Sequence, residues 1–324
     1  MAWQRELKVD PVPKLLSSGN AALTYWTKRD LLGEAPTDPR SIWDSAEVSR
    51  FARRQREDGA WPYPTQQSKV RSQLNYDQLE TYRVFAQLVE KYALTRDHHM
   101  IRNAAEFLFQ FQTRDGDFRG MYGNQYTPNY SAGIMELLIK AGYGGDQRIA
   151  QGFTWLLGIQ QSDGGWAIPY RTAYPTNTLS ALLTAEETAE PDRSRPFSHC
   201  ITGVVLRTFA AHPQFRGTPE AIHAGQLLVS RFFKPDRYPD RKSSSFWTGF
   251  SFPFWFTDLV SALDSLSLVG LSKHDSQIEG GLNWLRHRQA MDGSWQMKMS
   301  RGGDKDLYLW FSLAVCRVFR RFYP

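Results

Sequence analysis

Three carboxylic acids lie among aromatic residues where helices are predicted to begin. Asp77 and Glu80 are three residues apart, so they share one face of a helix, and Asp258 follows an aromatic run within 247–256. When two acids share a cavity, the pKa of one rises, and its neutral form can donate a proton. We therefore predict Asp77 first and Asp258 second as the acid of a protonation reaction, with Glu80 as the partner of Asp77. The alternative for each aspartate is a structural role in the first turn of a helix, where a carboxylate complements the helix dipole.

Other polar and aromatic side chains near predicted helix starts are candidates for substrate binding. Aromatic faces turned toward a cavity stabilise a carbocation by about 0.5–2 kcal/mol each. Loop packing is the alternative for the rings, and a structural or solvated role is the alternative for the histidines, which show no metal-ligand spacing. The binding candidates are Tyr82, Tyr130, His199, Trp255, Asp306, Tyr308 and Trp310.

The elements that position these residues are predicted to be helices. Apolar residues recur with helical spacing through most of the chain, and no stretch alternates convincingly with a period of two. Clusters of Gly, Pro, Asp and Ser separate the helical segments. We therefore predict one all-α domain over residues 1–324.

One seven-residue turn occurs four times. Its pattern is Gln-x-x-Asp-Gly-x-aromatic, at residues 55–61, 112–118, 160–166 and 289–295. The first three copies begin 57 and 48 residues apart, whereas the last gap of 129 residues leaves room for two units. We therefore predict a degenerate repeat within 218–247. A fixed period of this size is typical of stacked helical hairpins.

The repeated turn itself is predicted to be structural. In three copies the preceding helix carries a small residue, an aromatic-Leu pair and the Gln on one side. The Asp-Gly step ends that helix, because glycine readily adopts the left-handed conformation. We expect the Gln amide to bond nearby carbonyl groups or the next helix start, and the ring to close over the turn. The turn would then join one hairpin to the next.

This pattern, best preserved at Gly152–Trp166 and Gly281–Trp295, resembles the QW motif of squalene–hopene and oxidosqualene cyclases, class II terpene cyclases and protein prenyltransferase β subunits. The resemblance implies an (α/α)6 toroid, in which inner helices surround a central cavity and outer helices surround the inner ones. The inner helix follows each turn in this family. The inner helices are then expected at 75–93, 129–142, 197–212 (or 176–188), 254–270 and 304–322.

The resemblance does not extend to every chemistry of the family. The positions that match the zinc ligands of prenyltransferase β subunits hold Gly249, Ser251 and Leu309, so no metal is expected. The D-x-D-D acid of squalene–hopene cyclases does not occur, and His199 stands where oxidosqualene cyclases have the acid of D-C-T-A. The implied reaction is a metal-independent and cofactor-free cyclisation of a polyprenyl chain, started by another carboxylic acid.

Two other functions stay open at this point. The toroid can be a non-catalytic module that binds an isoprenoid, another lipid or a protein. It can also be a polysaccharide lyase or a glycosidase, in which acids among Asp77, Glu80, Asp258 and Asp306 would work in an open cleft.

Composition limits the partners and the location. The net charge is +6, but no nucleic-acid motif accompanies it, so no nucleic-acid partner is predicted, and a peripheral membrane contact is left open. There are only two cysteines, and the N-terminal residues do not resemble a signal peptide. These features predict a cytoplasmic protein with a hydrophobic isoprenoid substrate.

Overall fold

The computed structural model describes residues 1–35, 38–64, 71–300 and 304–324, and the regular elements in these ranges are helical, with no strand. Short π-helical turns at Lys28–Leu32 and Ile139–Tyr143 extend the second and seventh helices. The α-helices are α1 (Val12–Leu16), α2 (Ala21–Thr27), α3 (Arg40–Trp43), α4 (Ala46–Ala52), α5 (Gln73–Glu90), α6 (His99–Phe109), α7 (Pro128–Leu138), α8 (Gln147–Gly158), α9 (Pro169–Ala173), α10 (Leu179–Thr184), α11 (His199–Ala211), α12 (Pro219–Val229), α13 (Leu259–Leu268), α14 (Ser276–Arg288) and α15 (Leu307–Phe322).

Six of these helices form a closed inner ring. Neighbouring helices pack in the order α5, α7, α11, α13, α15 and α2. A hydrogen bond from Trp26 Nε1 to the Lys91 carbonyl, 2.7 Å long, joins α2 to the end of α5. The outer helices pack on this ring: α6 on α5, α8 on α7, α12 on α11 and α13, and α14 on α13. The prediction of an α/α toroid of helical hairpins is confirmed.

One hairpin carries an insertion between its outer and inner helices. The short helices α9 and α10 lie in the connection from α8 to α11, and only Leu182 of α10 is buried. The inner helix of this hairpin is therefore α11, which is almost entirely buried, and the alternative segment 176–188 does not belong to the ring.

The four repeated turns are built by the same hydrogen bonds. In each, the Gln Nε2 donates to the carbonyl of the glycine four residues later, at 2.9–3.1 Å. The backbone N–H of each terminal aromatic residue donates to a Ser or Thr hydroxyl on the following inner helix, at 2.9–3.3 Å. In the three turns that end in tryptophan, the ring nitrogen donates to the carbonyl ten residues earlier, at 2.7–2.9 Å. Each turn thus joins an outer helix to the inner helix that follows it.

The glycine of the turn is required for contact with the next hairpin. Gly116 has φ +107°, and a Cβ there would lie 2.5 Å from the Gln151 carbonyl oxygen on α8. A side chain at this position would both strain the backbone and collide with α8. In the same turn, Gln112 Nε2 donates to the Arg148 carbonyl at 2.8 Å. The second turn therefore holds α8 through backbone contacts that only glycine permits.

The region 218–247, where a degenerate repeat was predicted, contains a connection that resembles the four repeated turns but is longer. It contains α12, and Trp247 at its end is buried. The Trp247 ring nitrogen donates to the Lys234 carbonyl at 3.0 Å, thirteen residues earlier rather than ten. Among the described residues, none of the helices is long and apolar enough to cross a membrane.

Candidate active site

Asp258 lies at the start of inner helix α13 and is buried, with 1% of its surface exposed. Its Oδ1 accepts a hydrogen bond from the Ser261 backbone N–H at 2.8 Å, and the Ser261 hydroxyl accepts one from the Asp258 N–H at 2.9 Å. Burial raises the pKa of Asp258 to about 7, although the donors on Ser261 and Ser251 and the charge of Arg207 act in the opposite direction. Near neutral pH this group therefore exists both as an acid and as a carboxylate.

An aromatic segment, residues 250–256, leads into Asp258 and lies inside the ring. Backbone hydrogen bonds between Phe250 and residues 298 and 300 fix its beginning, at 3.0 and 2.6 Å. Phe252 stacks on Trp310 of α15, with ring centroids 5.7 Å apart, and Trp255 packs on Tyr82 of α5, with centroids 4.8 Å apart. The segment thus lies against both α15 and α5, the two helices that flank α2 in the ring.

The aromatic segment separates two cavities. The first has a volume of about 960 Å³ and lies between the starts of α2 and α15, helix α5 and residues 251–255. The second has a volume of about 820 Å³ and lies at the ends of α2, α5 and α15. Phe252 lines both, so the central space of the toroid is divided at this ring. Among the described residues, Asp258 is not part of the wall of either cavity. Ser251, whose backbone N–H donates to Asp258, lines the first cavity.

Three of the predicted binding residues come together at the aromatic segment. Tyr82 packs against Trp255 and, edge to face, against Tyr130, with centroids 6.3 Å apart. Tyr82 is buried, and its burial raises the pKa of the phenol, so the hydroxyl stays protonated. Tyr130 is half-buried, and Trp255 faces the first cavity. These rings form an aromatic wall beside the middle of α5.

A buried ionic group that the sequence analysis did not propose lies in the same interior. Arg207 of α11 donates from Nε to Glu136 of α7 at 2.9 Å, and Lys140 donates to the same carboxylate at 2.7 Å. Burial alone would raise the pKa of Glu136, but the two cations outweigh it, and the pKa lies below its ordinary value. Arg207 also donates to the Phe256 carbonyl at 3.2 Å, which connects this group to the aromatic segment. The signal in the sequence was Arg207, the single Lys, Arg, Asp or Glu within residues 197–212.

Asp77, the first-ranked acid, has a different environment. Its carboxylate accepts hydrogen bonds from the Tyr63 N–H at 2.9 Å, from Gln73 at 2.8 Å and from Arg56 at 2.7 Å. Arg56 belongs to the first repeated turn, so Asp77 ties that turn to the start of α5. Both oxygens of Asp77 are occupied by these donors. Among the described residues, Asp77 is not part of the wall of either cavity.

Glu80 does not pair with Asp77. Its carboxylate lies 3.5 Å from the Arg83 guanidinium, one turn further along α5, and Glu80 is half-buried. The predicted pairing of Asp77 with Glu80 in one cavity is therefore not found, because each acid lies against its own arginine. Arg83, in contrast, lines the first cavity and lies over the Trp255 ring at 5.5 Å.

Of the remaining predicted residues, one lines the first cavity and three do not. Asp306 lines the first cavity and accepts a hydrogen bond from Asn20 at 2.8 Å. Trp310 is buried against Phe252, whereas Tyr308 is 45% exposed and lines neither cavity among their described walls. His199 is buried beside Asp236, away from both cavities, and its burial lowers the pKa of the imidazole to about 4.

The fold and the interior define an all-α ring of helical hairpins whose aromatic centre contains buried ionisable groups. The family model of the squalene-hopene cyclase C-terminal domain matches residues 133–309, more than half of the chain. The chain therefore belongs to the squalene-hopene cyclase C-terminal domain family. No curated protein matches the sequence.

Solved structures with similar folds were also found. A protein from Actinoplanes is 15% identical, with 94% of this chain and 90% of that chain covered and a TM-score of 0.43. The type II terpene cyclase MstE from Scytonema, without ligand, is 13% identical, with 87% and 97% covered and a TM-score of 0.36. A variant of MstE in complex with its substrate, geranylgeranyl dihydroxybenzoate, is 14% identical, with 87% and 96% covered and a TM-score of 0.37.

Proposed function

We propose that the protein is a class II cyclase that protonates an alkene of a polyprenyl chain, and that Asp258 is the proton donor. The observation that carries this proposal is the buried Asp258 carboxyl group, whose pKa is raised to about 7 at the start of an inner helix. An alkene is a very weak base, so its protonation needs a neutral acid held against it away from water. Membership of the family supports the same reaction class.

The surroundings of Asp258 suit both states of the acid. Before the reaction, burial favours the neutral form, which carries the proton. After the proton is transferred, the carboxylate is stabilised by the Ser261 and Ser251 backbone N–H groups and by the charge of Arg207. These interactions are strongest with the charged product, so they lower the barrier to proton transfer rather than only binding the acid.

The first cavity is our choice for the polyprenyl chain. Its volume of about 960 Å³ is at the upper end of the range for small-molecule sites, which is about 300–1,000 Å³. Phe252 and Trp255 present rings to it, and such faces stabilise a developing carbocation by about 0.5–2 kcal/mol each. The alkene would approach Asp258 along the wall that Ser251 and Trp255 form. Asp306 and Arg83 lie on the same cavity and are suited to a polar head group.

The test is incubation of the purified protein with a panel of polyprenyl substrates, with products identified by mass spectrometry. Asp258→Asn should lower the rate by about 10²–10⁴-fold, the usual contribution of a general acid. Asparagine caps a helix as well as aspartate does, so the start of α13 should be preserved.

The matched control is Asp275→Asn, which changes the exposed cap of outer helix α14 and should leave the rate unchanged. Asp77→Asn should keep the cyclisation chemistry, because Asp77 binds Arg56 rather than a substrate. Full activity in Asp258→Asn would refute the assignment of the acid. Saturable lipid uptake without any product would favour a binding module, and release of reducing ends from a glycan would favour a carbohydrate-active enzyme.

The sequence predicts that the protein is cytoplasmic. A peripheral membrane contact, through which a hydrophobic substrate would enter, is the open alternative.

A further inference from the structure

Three residues with metal-binding side chains meet at the start of α11, outside both cavities. One ligand atom each from His199, Cys200 and Asp236 lies within 4.8 Å of the other two. All three residues are buried, with 2%, 7% and 2% of their surfaces exposed. Imidazole nitrogen, thiolate sulfur and carboxylate oxygen are the three donor types that proteins use for zinc.

The imidazole of His199 has an unused nitrogen directed into this group. Nδ1 lies 3.0 Å from Asp236 Oδ2, yet it has no hydrogen-bond partner of acceptable angle among the described residues. The lone pair or proton on Nδ1 is therefore not aimed at that oxygen. A buried ring nitrogen without a partner is costly, and coordination of a cation would remove the cost.

The carboxylate is already held in place for such a role. Asp236 Oδ2 accepts hydrogen bonds from the Ser198 hydroxyl at 2.9 Å and from the Cys200 N–H at 3.0 Å, and Oδ1 accepts one from the Tyr238 N–H at 3.0 Å. These bonds also cap α11, and this capping role explains why Asp236 is buried there. It does not explain why the Cys200 and His199 side chains converge on the same carboxylate. Hydrogen bonds of this kind orient the ligands of known metal sites.

The other two side chains are positioned by their neighbours as well. The His199 ring stacks on Trp247, with centroids 4.7 Å apart and planes 17° apart. The Cys200 carbonyl accepts a hydrogen bond from the Thr257 hydroxyl at 2.7 Å, and the Cys200 sulfur lies 3.8 Å from the Arg241 carbonyl oxygen. The start of α11 is thereby fixed to the residue that precedes Asp258.

We propose that His199, Cys200 and Asp236 form a binding site for a divalent transition metal ion of the zinc type. On binding, the Cys200 thiol gives up its proton to solvent and a metal–sulfur bond forms. The thiolate and the carboxylate then balance the two positive charges of the ion, while the imidazole binds as a neutral ligand. The site lies outside positions 249, 251 and 309, which match the zinc ligands of prenyltransferase β subunits, and it is independent of the proposed cyclase activity.

The experiment is a Co²⁺ titration of the full-length protein after treatment with a chelator. Cobalt bound to a thiolate gives an intense charge-transfer absorption in the near ultraviolet, which cobalt bound only by oxygen and nitrogen lacks. We expect this absorption to saturate at one ion per chain and to disappear when Zn²⁺ is added in competition. We also expect Zn²⁺ to raise the unfolding temperature of the wild type, since it binds the folded chain.

The two cysteines of the chain provide a matched pair of variants. Cys200→Ser should abolish the charge-transfer absorption and weaken Zn²⁺ binding by at least about 100-fold, because loss of even an outer partner of a metal ligand costs about 10–100-fold. Cys316→Ser changes the other buried cysteine, on α15, and should leave the absorption intact. A wild-type titration without the thiolate absorption would overturn the proposal even if Cys200→Ser does not fold. An absorption that persists in Cys200→Ser and vanishes in Cys316→Ser would overturn it as well.

Discussion

Replacement of Asp258 by asparagine is expected to stabilise the folded protein relative to the wild type as the pH rises. Asp258 is 1% exposed, and burial raises the pKa of its carboxyl group from the ordinary value of 3.8 to about 7. Between these two pH values the folded chain binds a proton that the unfolded chain has lost. The stability of the wild type therefore falls as the pH rises from about 4 to about 7, and the loss stays constant above pH 7.

The size of the effect follows from the same two values. One pKa unit corresponds to about 1.4 kcal/mol, so the full change between 3.8 and about 7 amounts to about 4 kcal/mol. Measurements at pH 5 and pH 8 sample only the part between pH 5 and about 7, which is about 3 kcal/mol. Asparagine has no proton to lose and keeps the cap of α13. Asp258→Asn should therefore gain about 3 kcal/mol relative to the wild type when the pH is raised from 5 to 8.

The assay is urea unfolding at pH 5, 6, 7 and 8, followed by tryptophan fluorescence and by circular dichroism. The quantity of interest is the difference in the free energy of unfolding between Asp258→Asn and the wild type at each pH. Asp275→Asn serves as the control, because Asp275 is exposed and accepts hydrogen bonds from the backbone of α14 at 2.9 and 3.2 Å. Its difference from the wild type should not grow between pH 5 and pH 8.

A difference for Asp258→Asn that is the same at pH 5 and pH 8 would refute the reasoning. The carboxyl group would then have one protonation state across this range, and a raised pKa could not underlie a proton donor. A loss of stability that grows with pH would show that the Asp258 carboxylate is favoured in the folded chain.

Three further predictions concern the interior and the repeated turn. If Asp258 donates the proton, product formation from a polyprenyl substrate should fall about tenfold per pH unit above pH 7. Trp166→Phe should lower the free energy of unfolding by about 1–3 kcal/mol, measured by urea unfolding, because the carbonyl that its ring nitrogen reaches at 2.7 Å loses that donor. Glu136→Ala should cost about 3–5 kcal/mol in the same assay, since Arg207 would stay buried without its carboxylate, and Glu136→Ala with Arg207→Met should recover part of the loss.

The repeated turn was predictable because its interactions are local. The Gln side chain and the glycine carbonyl that it bonds are four residues apart, and the tryptophan ring reaches a carbonyl ten residues earlier. Spacing along the chain therefore specifies the geometry, and four copies of one spacing specify a repeated hairpin. The contacts between hairpins follow from it, because the glutamine of a turn also reaches the next outer helix, as Gln112 does at the Arg148 carbonyl of α8.

The division of the central space was not predictable in the same way. The run of aromatic residues at 250–256 has no helical period, so the sequence left both loop packing and a cavity wall as alternatives. Its position is set by bonds to residues 298 and 300 and by stacking of Phe252 on Trp310. These partners are about fifty residues away along the chain, and only the closed ring brings them to the segment.

The sequence by itself determined that this protein is a ring of helical hairpins and that acids stand at the starts of inner helices. Only the tertiary structure distinguished Asp77 from Asp258. Asp77 meets Arg56 and stays a structural carboxylate, whereas Asp258 is buried without a direct ionic partner among the described residues. The protonation of a carboxyl group depends on its loss of water and on charges near it in space, and the residues that supply both effects come from distant parts of the chain.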